Sequence, residues 1–321
     1  MMMRGPLEHR EEDNGTVLGV GPSSLRYHER IGEELTRVEA NLLGLLMDFY
    51  HRSPFYPRWG LTLARLLAAY HKRVGRDLGS LVWRRVGTFL LTLDLQQAID
   101  NQLYYAGTYE AESISAMAAL VRPGDTVIDV GANIGWMTLH LAGRVGSTGR
   151  VLAFEPAPGA AARLKQHVQI NGFDNVDIIP LALGDRTQGP RPIKIRSTYR
   201  LDGVDDTEQA MISTVTLDHY LREHPAGALR FIKIDTDGRE AAVFRGSAAT
   251  LSRYRPNLLF EVAPDSLGVF GSTPDAILSL LERHGYRFLH VGNLKPYADV
   301  RSAVARIPPG TTLNLVAVPA G

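Results

Sequence analysis

The residues best suited to chemistry are carboxylates at the ends of short apolar segments. Five acids occupy such positions in succession along the chain: Asp129, Glu155, Asp185, Asp235 and Glu261. A single acid after a strand is usually a turn residue or a helix cap, but five in succession indicate a shared site. Ligands of open α/β sheets bind beyond the carboxyl ends of the strands. The acids therefore predict a ligand site at that edge of a sheet.

A glycine-rich turn follows the first of these acids. It runs from Gly131 to Gly135, between an apolar segment at 126–130 and a predicted helix at 134–144. Glycine lets the backbone approach a ligand closely, and the start of a helix offers unpaired N–H groups. This order of elements predicts a cradle for a nucleotide-type ligand.

The side chains around the turn favour S-adenosylmethionine (SAM) over a dinucleotide. A dinucleotide fingerprint would place glycine at positions 133 and 136, where this chain has Asn133 and Trp136. Asp129 would repel a diphosphate but attract a cationic sulfonium and an amino group. Glu155, 24 positions after Gly131, is placed to accept hydrogen bonds from ribose hydroxyls, although it could instead cap the following helix.

The other acids are assigned by their position. Asp185 is placed to bind the adenine amino group. Asp235 is expected near the transferred methyl group, as a general base or as a group that orients the acceptor; capping of the next helix is the alternative. Asp235 and Glu261 could together hold Mg²⁺, but two carboxylates do not define a metal site, so no metal is expected.

The elements that must position these residues alternate between strands and helices. Strands are predicted at 126–130, 150–155, 175–180, 230–235 and 257–262, helices at 134–144, 157–171, 238–252 and 273–284, and a late, antiparallel pair of strands at 286–291 and 312–318. Upstream lie a strand pair at 81–95 and helices at 96–106 and 110–121. Such alternation predicts a parallel, doubly wound sheet. Residues 184–213 lack clear long elements and are predicted to form a partly irregular insertion near the site.

The N-terminal quarter is predicted to be separate from this sheet. Residues 1–25 are polar and are expected to be a mobile arm. Residues 26–80 carry apolar residues at three- and four-residue steps, interrupted by Pro54 and Pro57, and predict a helical extension or cap. Its helices could also pair two chains into a homodimer. The remaining residues, 81–321, are predicted to form the ligand-binding domain.

Composition excludes several classes of protein. The chain has 35 Lys and Arg against 34 Asp and Glu, so it has no overall attraction to nucleic acid or anionic membranes. It has no cysteine, which excludes disulfides and thiolate chemistry. No apolar run reaches the roughly 18 residues of a membrane span, and the N-terminus lacks the apolar core of a signal peptide. We therefore expect a cytoplasmic protein with neither a membrane nor a nucleic-acid partner.

Several ordered motifs resemble the FkbM family of SAM-dependent methyltransferases. The glycine turn at 129–135 has Asn133 at its middle position, as in that family. The other matching segments are 105–110, 149–156, 216–218 and 233–240. The chain departs from the family pattern at Thr236 and Asp237, where Val and Glu are usual. The resemblance covers about residues 90 to 265.

The resemblance implies a class I methyltransferase (Rossmann-like) fold with a seven-stranded, mostly parallel sheet. With the strand-end residues, it assigns cofactor binding to Asp129, Gly131, Asn133, Gly135, Glu155 and Asp185, with Tyr109 and Glu110 closing over the methionine half of SAM. It implies methyl transfer, usually to oxygen, so we expect a small-molecule O-methyltransferase acting on a sugar or secondary metabolite in a biosynthetic pathway. N-methylation of a peptide side chain is the alternative, and a non-catalytic SAM-binding module is a third reading.

Overall fold

The computed structural model describes residues 81–196 and 207–320. The predictions of a mobile arm at 1–25, a helical extension at 26–80 and a homodimer through that extension concern residues outside this part of the chain.

The described residues form alternating strands and helices, in agreement with the predicted pattern. The strands are β1 (Val82–Val86), β2 (Phe89–Leu93), β3 (Thr126–Val130), β4 (Arg150–Phe154), β5 (Val176–Ile179), β6 (Ala182–Leu183), β7 (Gln188–Arg196), β8 (Thr207–Val215), β9 (Leu229–Ile234), β10 (Asn257–Val262), β11 (Tyr286–His290) and β12 (Leu313–Pro319). The helices are α1 (Ala98–Ala106), α2 (Ala111–Leu120), α3 (Trp136–Val145), α4 (Pro158–Ile170), α5 (Leu217–Glu223), α6 (Glu240–Arg245), α7 (Ala248–Tyr254), α8 (Pro264–Val269), α9 (Pro274–Arg283) and α10 (Val300–Val304).

Seven strands form the central sheet in the order β11-β12-β10-β9-β3-β4-β5. The contacts from β10 to β5 are parallel, whereas β12 runs antiparallel to both β10 and β11. The predicted doubly wound, class I methyltransferase fold is therefore confirmed, as is the antiparallel pair at one edge. The central strands are apolar and β-branched because helices cover both of their faces.

The core consists of two clusters, one on each face of the sheet. Along β3, Val127 packs into one cluster, and Ile128 and Val130 pack into the other. All three side chains are almost fully buried. Successive residues of a strand point to opposite faces, so this short run joins both halves of the core.

The strand pair β1–β2 packs onto α4 and so belongs to the body of the domain. The Leu90 amide donates to Asn171 Oδ1 at 2.8 Å, and the Thr92 amide donates to His167 Nε2 at 3.0 Å. These bonds satisfy polar backbone groups that would otherwise be unpaired at the edge of the hairpin.

The prediction that residues 184–213 lack long elements is wrong, whereas their predicted place near the site agrees with the cavity lining. β7 and β8 form an antiparallel pair of nine-residue strands in which Ile193 lies opposite Ala210. Pro190 and Pro192 obscured the strand pattern, but β7 is an edge strand in the order β6-β8-β7, where a residue without an N–H is tolerated. The described part of this region is therefore mainly two paired strands, with a shift of register between Gln188 and Arg191.

The prediction of a single helix at 238–252 is also wrong, because this segment contains two helices, α6 and α7. Gly246 and Ser247 separate them. A Cβ at Gly246 would lie 2.0 Å from the Gly184 carbonyl oxygen, so the two backbones are in direct contact there. The Gly246 carbonyl accepts a hydrogen bond from the Asp218 amide at 3.0 Å, which takes it out of the helical pattern.

Three short helices, α5, α8 and α10, had no counterpart in the sequence prediction. They contain only five to seven residues, which is too few for an apolar period to emerge. Within residues 81–196 and 207–320, no helix has the length and apolar content that crossing a membrane would need.

Candidate active site

A cavity of about 650 Å³ opens at the carboxyl edge of the sheet, beyond β3, β4 and β9. The strand order reverses here, because the chain extends the sheet from β3 through β4 in one direction and from β9 through β10 in the other. Most of the predicted site residues lie on the cavity wall: Tyr109, Glu110, Gly131, Asn133, Glu155, Asp185, Asp235 and Glu261. Asp129 and Gly135 do not.

The turn after β3 passes close to the end of β9. The Gly131 amide donates to the Phe154 carbonyl at 2.9 Å, which ties the turn to β4. Gly131 has a φ of +78°, and a Cβ there would lie 1.8 Å from the Asp235 carbonyl oxygen. Gly135 has a φ of +93°, and a Cβ there would lie 2.4 Å from Leu164. Gly131 therefore forms part of the cavity wall. Gly135 instead allows the start of α3 to pack closely against α4.

Glu155 is held by two backbone amides at the end of β4. Its Oε2 accepts from the Asn133 amide at 2.7 Å, and its Oε1 accepts from the Ala157 amide at 2.8 Å. Burial raises the pKa of this carboxyl, and the two amides oppose that rise. Ala157 precedes α4, so the capping interpretation holds for one oxygen. The same carboxylate also lies on the cavity wall, where the predicted ribose contact would be made.

The structure places Asp129 behind the cavity wall. Its side chain is fully buried, Oδ2 accepts from Thr138 Oγ1 at 2.6 Å, and Oδ1 lies 3.7 Å from Lys233 Nζ. Burial raises its pKa, although Lys233 and Thr138 favour the charged form. The expected direct attraction to a sulfonium is therefore replaced by an indirect role, in which Asp129 positions Lys233.

Lys233 is a site residue that the sequence reasoning missed. Its Nζ lies 3.1 Å from Asp235 Oδ2 and 3.5 Å from the Gly131 carbonyl oxygen, and it lines the cavity. Burial opposes its charge, but Asp235 and Asp129 outweigh burial and hold its pKa above the ordinary value. Residues two apart on a strand share a face, so the spacing of Lys233 and Asp235 could have revealed the pair.

Tyr109 and Glu110 line the cavity just before α2. Glu110 has a φ of +51°, and its Oε2 accepts from Asn314 Nδ2 at 2.8 Å. The Tyr109 carbonyl accepts from Trp136 Nε1 at 3.0 Å, which links this segment to the start of α3. Burial raises the pKa of the Tyr109 hydroxyl, and the charges of Glu110 and Asp235 raise it further. Their predicted contact with the methionine half of SAM stays a prediction.

Asp185 lies at the cavity but already has cationic partners. Its Oδ2 is 3.2 Å from Arg245 Nη2, and its Oδ1 is 3.5 Å from Arg186 Nε. The predicted hydrogen bond to the adenine amino group would have to form beside these ion pairs. It stays a prediction.

Asp235 and Glu261 both face the cavity, and Lys233 Nζ lies 3.1 Å from Asp235 Oδ2. Among the described residues, no group of three or more His, Cys, Asp or Glu side chains could hold a metal ion. Burial raises the pKa of Glu261 to about 8, and the nearby charge of Asp235 adds to the rise. A protonated Glu261 could donate a hydrogen bond to a ligand at neutral pH.

The loop between β9 and α6 is held by a buried acid. Glu240 is fully buried, and its Oε1 accepts from the Thr236 amide at 2.8 Å and the Gly238 amide at 3.2 Å. Within that loop, Asp237 has a φ of +52°. Glu240 therefore fixes the backbone that follows Asp235.

Residues 129–288, about half of the chain, match the model of the methyltransferase FkbM domain. The chain belongs to the FkbM methyltransferase family. The match begins at Asp129 and spans the glycine turn, Glu155 and the Lys233–Asp235 pair. The FkbM family uses SAM, which is therefore the cofactor of this enzyme.

Individual relatives are distant from this FkbM methyltransferase. Protein-L-isoaspartate O-methyltransferase 2 of Archaeoglobus fulgidus is 35% identical over 69 residues, which are 22% of this chain and 30% of that protein. The matched region thus spans less than a third of that relative. An FkbM methyltransferase structure from Methylobacillus flagellatus KT is 16% identical with a TM-score of 0.39, covering 81% of this chain and 60% of that one. An rRNA methylase structure from Streptococcus thermophilus is 15% identical with a TM-score of 0.39, covering 65% of this chain and 95% of that one.

The cavity wall of this FkbM domain fits SAM. The Glu155 carboxylate is fixed at the wall, where it can accept hydrogen bonds from a ribose. Asn133 Oδ1 is buried at the same wall and accepts no hydrogen bond from the residues that the structure describes. A buried polar atom without a partner is costly, so an amino group of a ligand would be stabilised there.

Proposed function

We propose that this enzyme transfers the methyl group of SAM to a hydroxyl oxygen of a small molecule, a sugar or secondary metabolite, in a cytoplasmic biosynthetic pathway. The observation that carries this proposal is the Asp235 carboxylate on the cavity wall, ion-paired with Lys233 at 3.1 Å. A hydroxyl is neutral and benefits from a nearby group that accepts its proton as the new bond forms. The curated relative is named as an O-methyltransferase, which agrees with oxygen as the acceptor atom.

Asp235 and Lys233 have distinct roles in this proposal. SAM, when bound, supplies a methyl group that its sulfonium has already activated. Asp235 accepts the hydrogen bond of the acceptor hydroxyl and receives its proton. Lys233 fixes the Asp235 carboxylate, and its contact with the Gly131 carbonyl keeps the turn after β3 in place. Alignment of the reacting groups and exclusion of water then complete the requirements of the reaction.

The acceptor atom is tested by the identity of the product. The enzyme would be incubated with SAM and a panel of sugars, aliphatic and phenolic alcohols, and peptides, and the products located by tandem mass spectrometry. We expect the added methyl group on oxygen. A methyl group on a peptide nitrogen would overturn this proposal and establish the N-methylation alternative.

The role of Asp235 is tested with Asp235→Asn, which keeps the shape but removes the proton acceptor. We expect kcat to fall by about 10²-fold or more, whereas affinity for S-adenosylhomocysteine (SAH) stays within about twofold. Asp275→Asn is the control, because Asp275 is an exposed acid on α9 away from the cavity. Full activity in Asp235→Asn would refute the assignment.

A further inference from the structure

Acidic and basic side chains both line the cavity. Three of the acids, Glu155, Asp235 and Glu261, come from the ends of β4, β9 and β10. The other lining acids lie outside these strand ends, and they are Glu110, Asp185 and Asp237. The cations other than Lys233 come from the segment around β7 and from the residue before α6. They are Arg186, Arg191, Lys194 and Arg239, which we call the basic rim.

The C-terminal end of α6 packs against the segment between β6 and β7. Arg245 of α6 is ion-paired with Asp185, at 3.2 Å. The backbone at Gly246 lies against Gly184, where a Cβ would be 2.0 Å from the carbonyl oxygen. Arg239 precedes the opposite, N-terminal end of α6 and also lines the cavity.

Arg239 is held in a defined orientation by an aromatic ring. Its guanidinium carbon lies 4.1 Å from the centroid of Phe270, and both residues line the cavity. Stacking of this kind uses the face of the guanidinium and leaves its N–H edge available. Burial lowers the pKa of this guanidinium, and the negative charge of Glu240 opposes that fall. A pre-oriented fork of donors suits a carboxylate or a phosphate.

The hairpin contributes one cation and an apolar strip to the same wall. Arg191, Ile193 and Ile195 lie two residues apart on β7 and therefore share a face. Ile212 of β8 lies opposite Arg191 in the register and also lines the cavity. Arg191 donates to Gln188, which keeps its side chain along the hairpin.

We propose that the methyl acceptor carries an anionic group, a carboxylate or a phosphate ester, which Arg239 and Arg191 bind at the basic rim. The apolar strip of Ile193, Ile195 and Ile212 contacts the rest of the acceptor. This inference rests on the proposed function, because it assigns the basic rim to the acceptor of the methyl transfer. It narrows the substrate class from alcohols in general to hydroxylated acids or phosphorylated alcohols.

The test uses the enzyme saturated with SAH, so that the cofactor site is filled and the carboxylate of SAH cannot be the anion detected. Inorganic phosphate and acetate are titrated separately and followed by isothermal titration calorimetry. We expect at least one of them to bind, and Arg239→Gln and Arg191→Gln each to weaken that binding by about tenfold, as expected for loss of a charge-assisted hydrogen bond. Arg253→Gln is the matched control, because Arg253 is also stacked on an aromatic ring, that of Tyr254, but lies outside the cavity.

Binding of phosphate alone would identify a phosphate ester, and binding of acetate would identify a carboxylate. The proposal is overturned if neither anion binds to the SAH-loaded enzyme, or if both variants bind as well as Arg253→Gln does. SAH affinity is measured for every variant. If the wild type does not bind SAH, the proposed function is refuted. If it binds SAH but neither anion, only the assignment of the basic rim is refuted.

Discussion

Replacing Gly131 by alanine would test whether the close contact between the turn after β3 and the end of β9 builds the site. Gly131 has a φ of +78°, and its new Cβ would lie 1.8 Å from the Asp235 carbonyl oxygen. The Asp235 amide also donates to the Val130 carbonyl at 3.0 Å, so the two strand ends are joined at this point. The substitution therefore strains the backbone and pushes apart two bonded segments.

The expected magnitude has two parts. An alanine in the left-handed region costs about 1–2 kcal/mol. A Cβ contact below 3.0 Å is not sustained in proteins, so the turn and Asp235 must separate by the difference between 3.0 and 1.8 Å, about 1.2 Å. Separation breaks the tie between the strand ends, which adds about 1–2 kcal/mol. We expect Gly131→Ala to lower the free energy of unfolding by about 3 kcal/mol, well above the usual effect of a point mutation.

Function should suffer more than stability, because the separation occurs within the cavity wall. A displacement of about 1 Å at a reacting centre can cost about 10²-fold in rate. We expect SAH affinity to fall by at least about tenfold and methyl transfer to fall by about 10²-fold. Calorimetry with SAH and urea unfolding of the free enzyme measure the two effects separately.

Gly172→Ala is the matched control. Gly172 has a φ of +70°, similar to that of Gly131, but a Cβ there would have no neighbour within 4 Å. It should therefore show only the backbone strain of about 1–2 kcal/mol, with SAH affinity unchanged. If Gly131→Ala behaves like Gly172→Ala in both measurements, the contact with Asp235 does not build the site and the reasoning is refuted.

Three further changes probe the buried acids. Glu155→Gln places an amide nitrogen against a backbone N–H, so we expect the free enzyme to lose about 1–3 kcal/mol of stability and SAH affinity to fall at least about tenfold. Thr138→Val removes the 2.6 Å hydrogen bond to the buried Asp129 and should cost about 1–3 kcal/mol in urea unfolding. Glu261 has a raised pKa of about 8, so the folded enzyme binds more protons than the unfolded chain between its ordinary pKa of 4.5 and about 8. Stability should therefore fall as pH rises through this window, and Glu261→Gln should flatten the fall.

Each of these expectations has an outcome that contradicts it. Unchanged SAH affinity in Glu155→Gln would show that the carboxylate does not contact the cofactor. An unchanged urea midpoint in Thr138→Val would mean that water or another group replaces the lost donor. Parallel curves of stability against pH for the wild type and Glu261→Gln would show that Glu261 does not retain its proton on folding.

The central sheet was predictable because its strands are continuous apolar runs that end in polar residues. Strands buried on both faces need such runs, and the pattern is local enough to read from a single chain. The hairpin of β7 and β8 was missed for the opposite reason. It carries Pro190, Pro192 and exposed polar residues, so its pairing depends on the partner strand and not on its own composition.

Some residues of the candidate site were likewise predictable from the sequence, and others were not. Glu155 and Asp235 were assigned from their positions at strand ends, and the structure brings both to one cavity. Asp129 could not be assigned correctly from the sequence, because a strand residue points to either the cavity or the core, and only the packing of α3 shows that Thr138 receives it. Lys233 was overlooked because it contacts two carboxylates, Asp129 on β3 and Asp235 after β9, and the contact with Asp129 forms only when the two strands pair.

The sequence by itself determined the fold class, the glycine turn and the edge of the sheet where the cavity lies, because each depends on residues that are close together in the chain. Tertiary structure alone decided which acids face the cavity and which cation holds them. It also decided that α6 packs beside the segment between β6 and β7, since the contact of Gly184 with Gly246 joins residues 62 positions apart. Such contacts depend on the packing of whole elements, and no local pattern of residues encodes them.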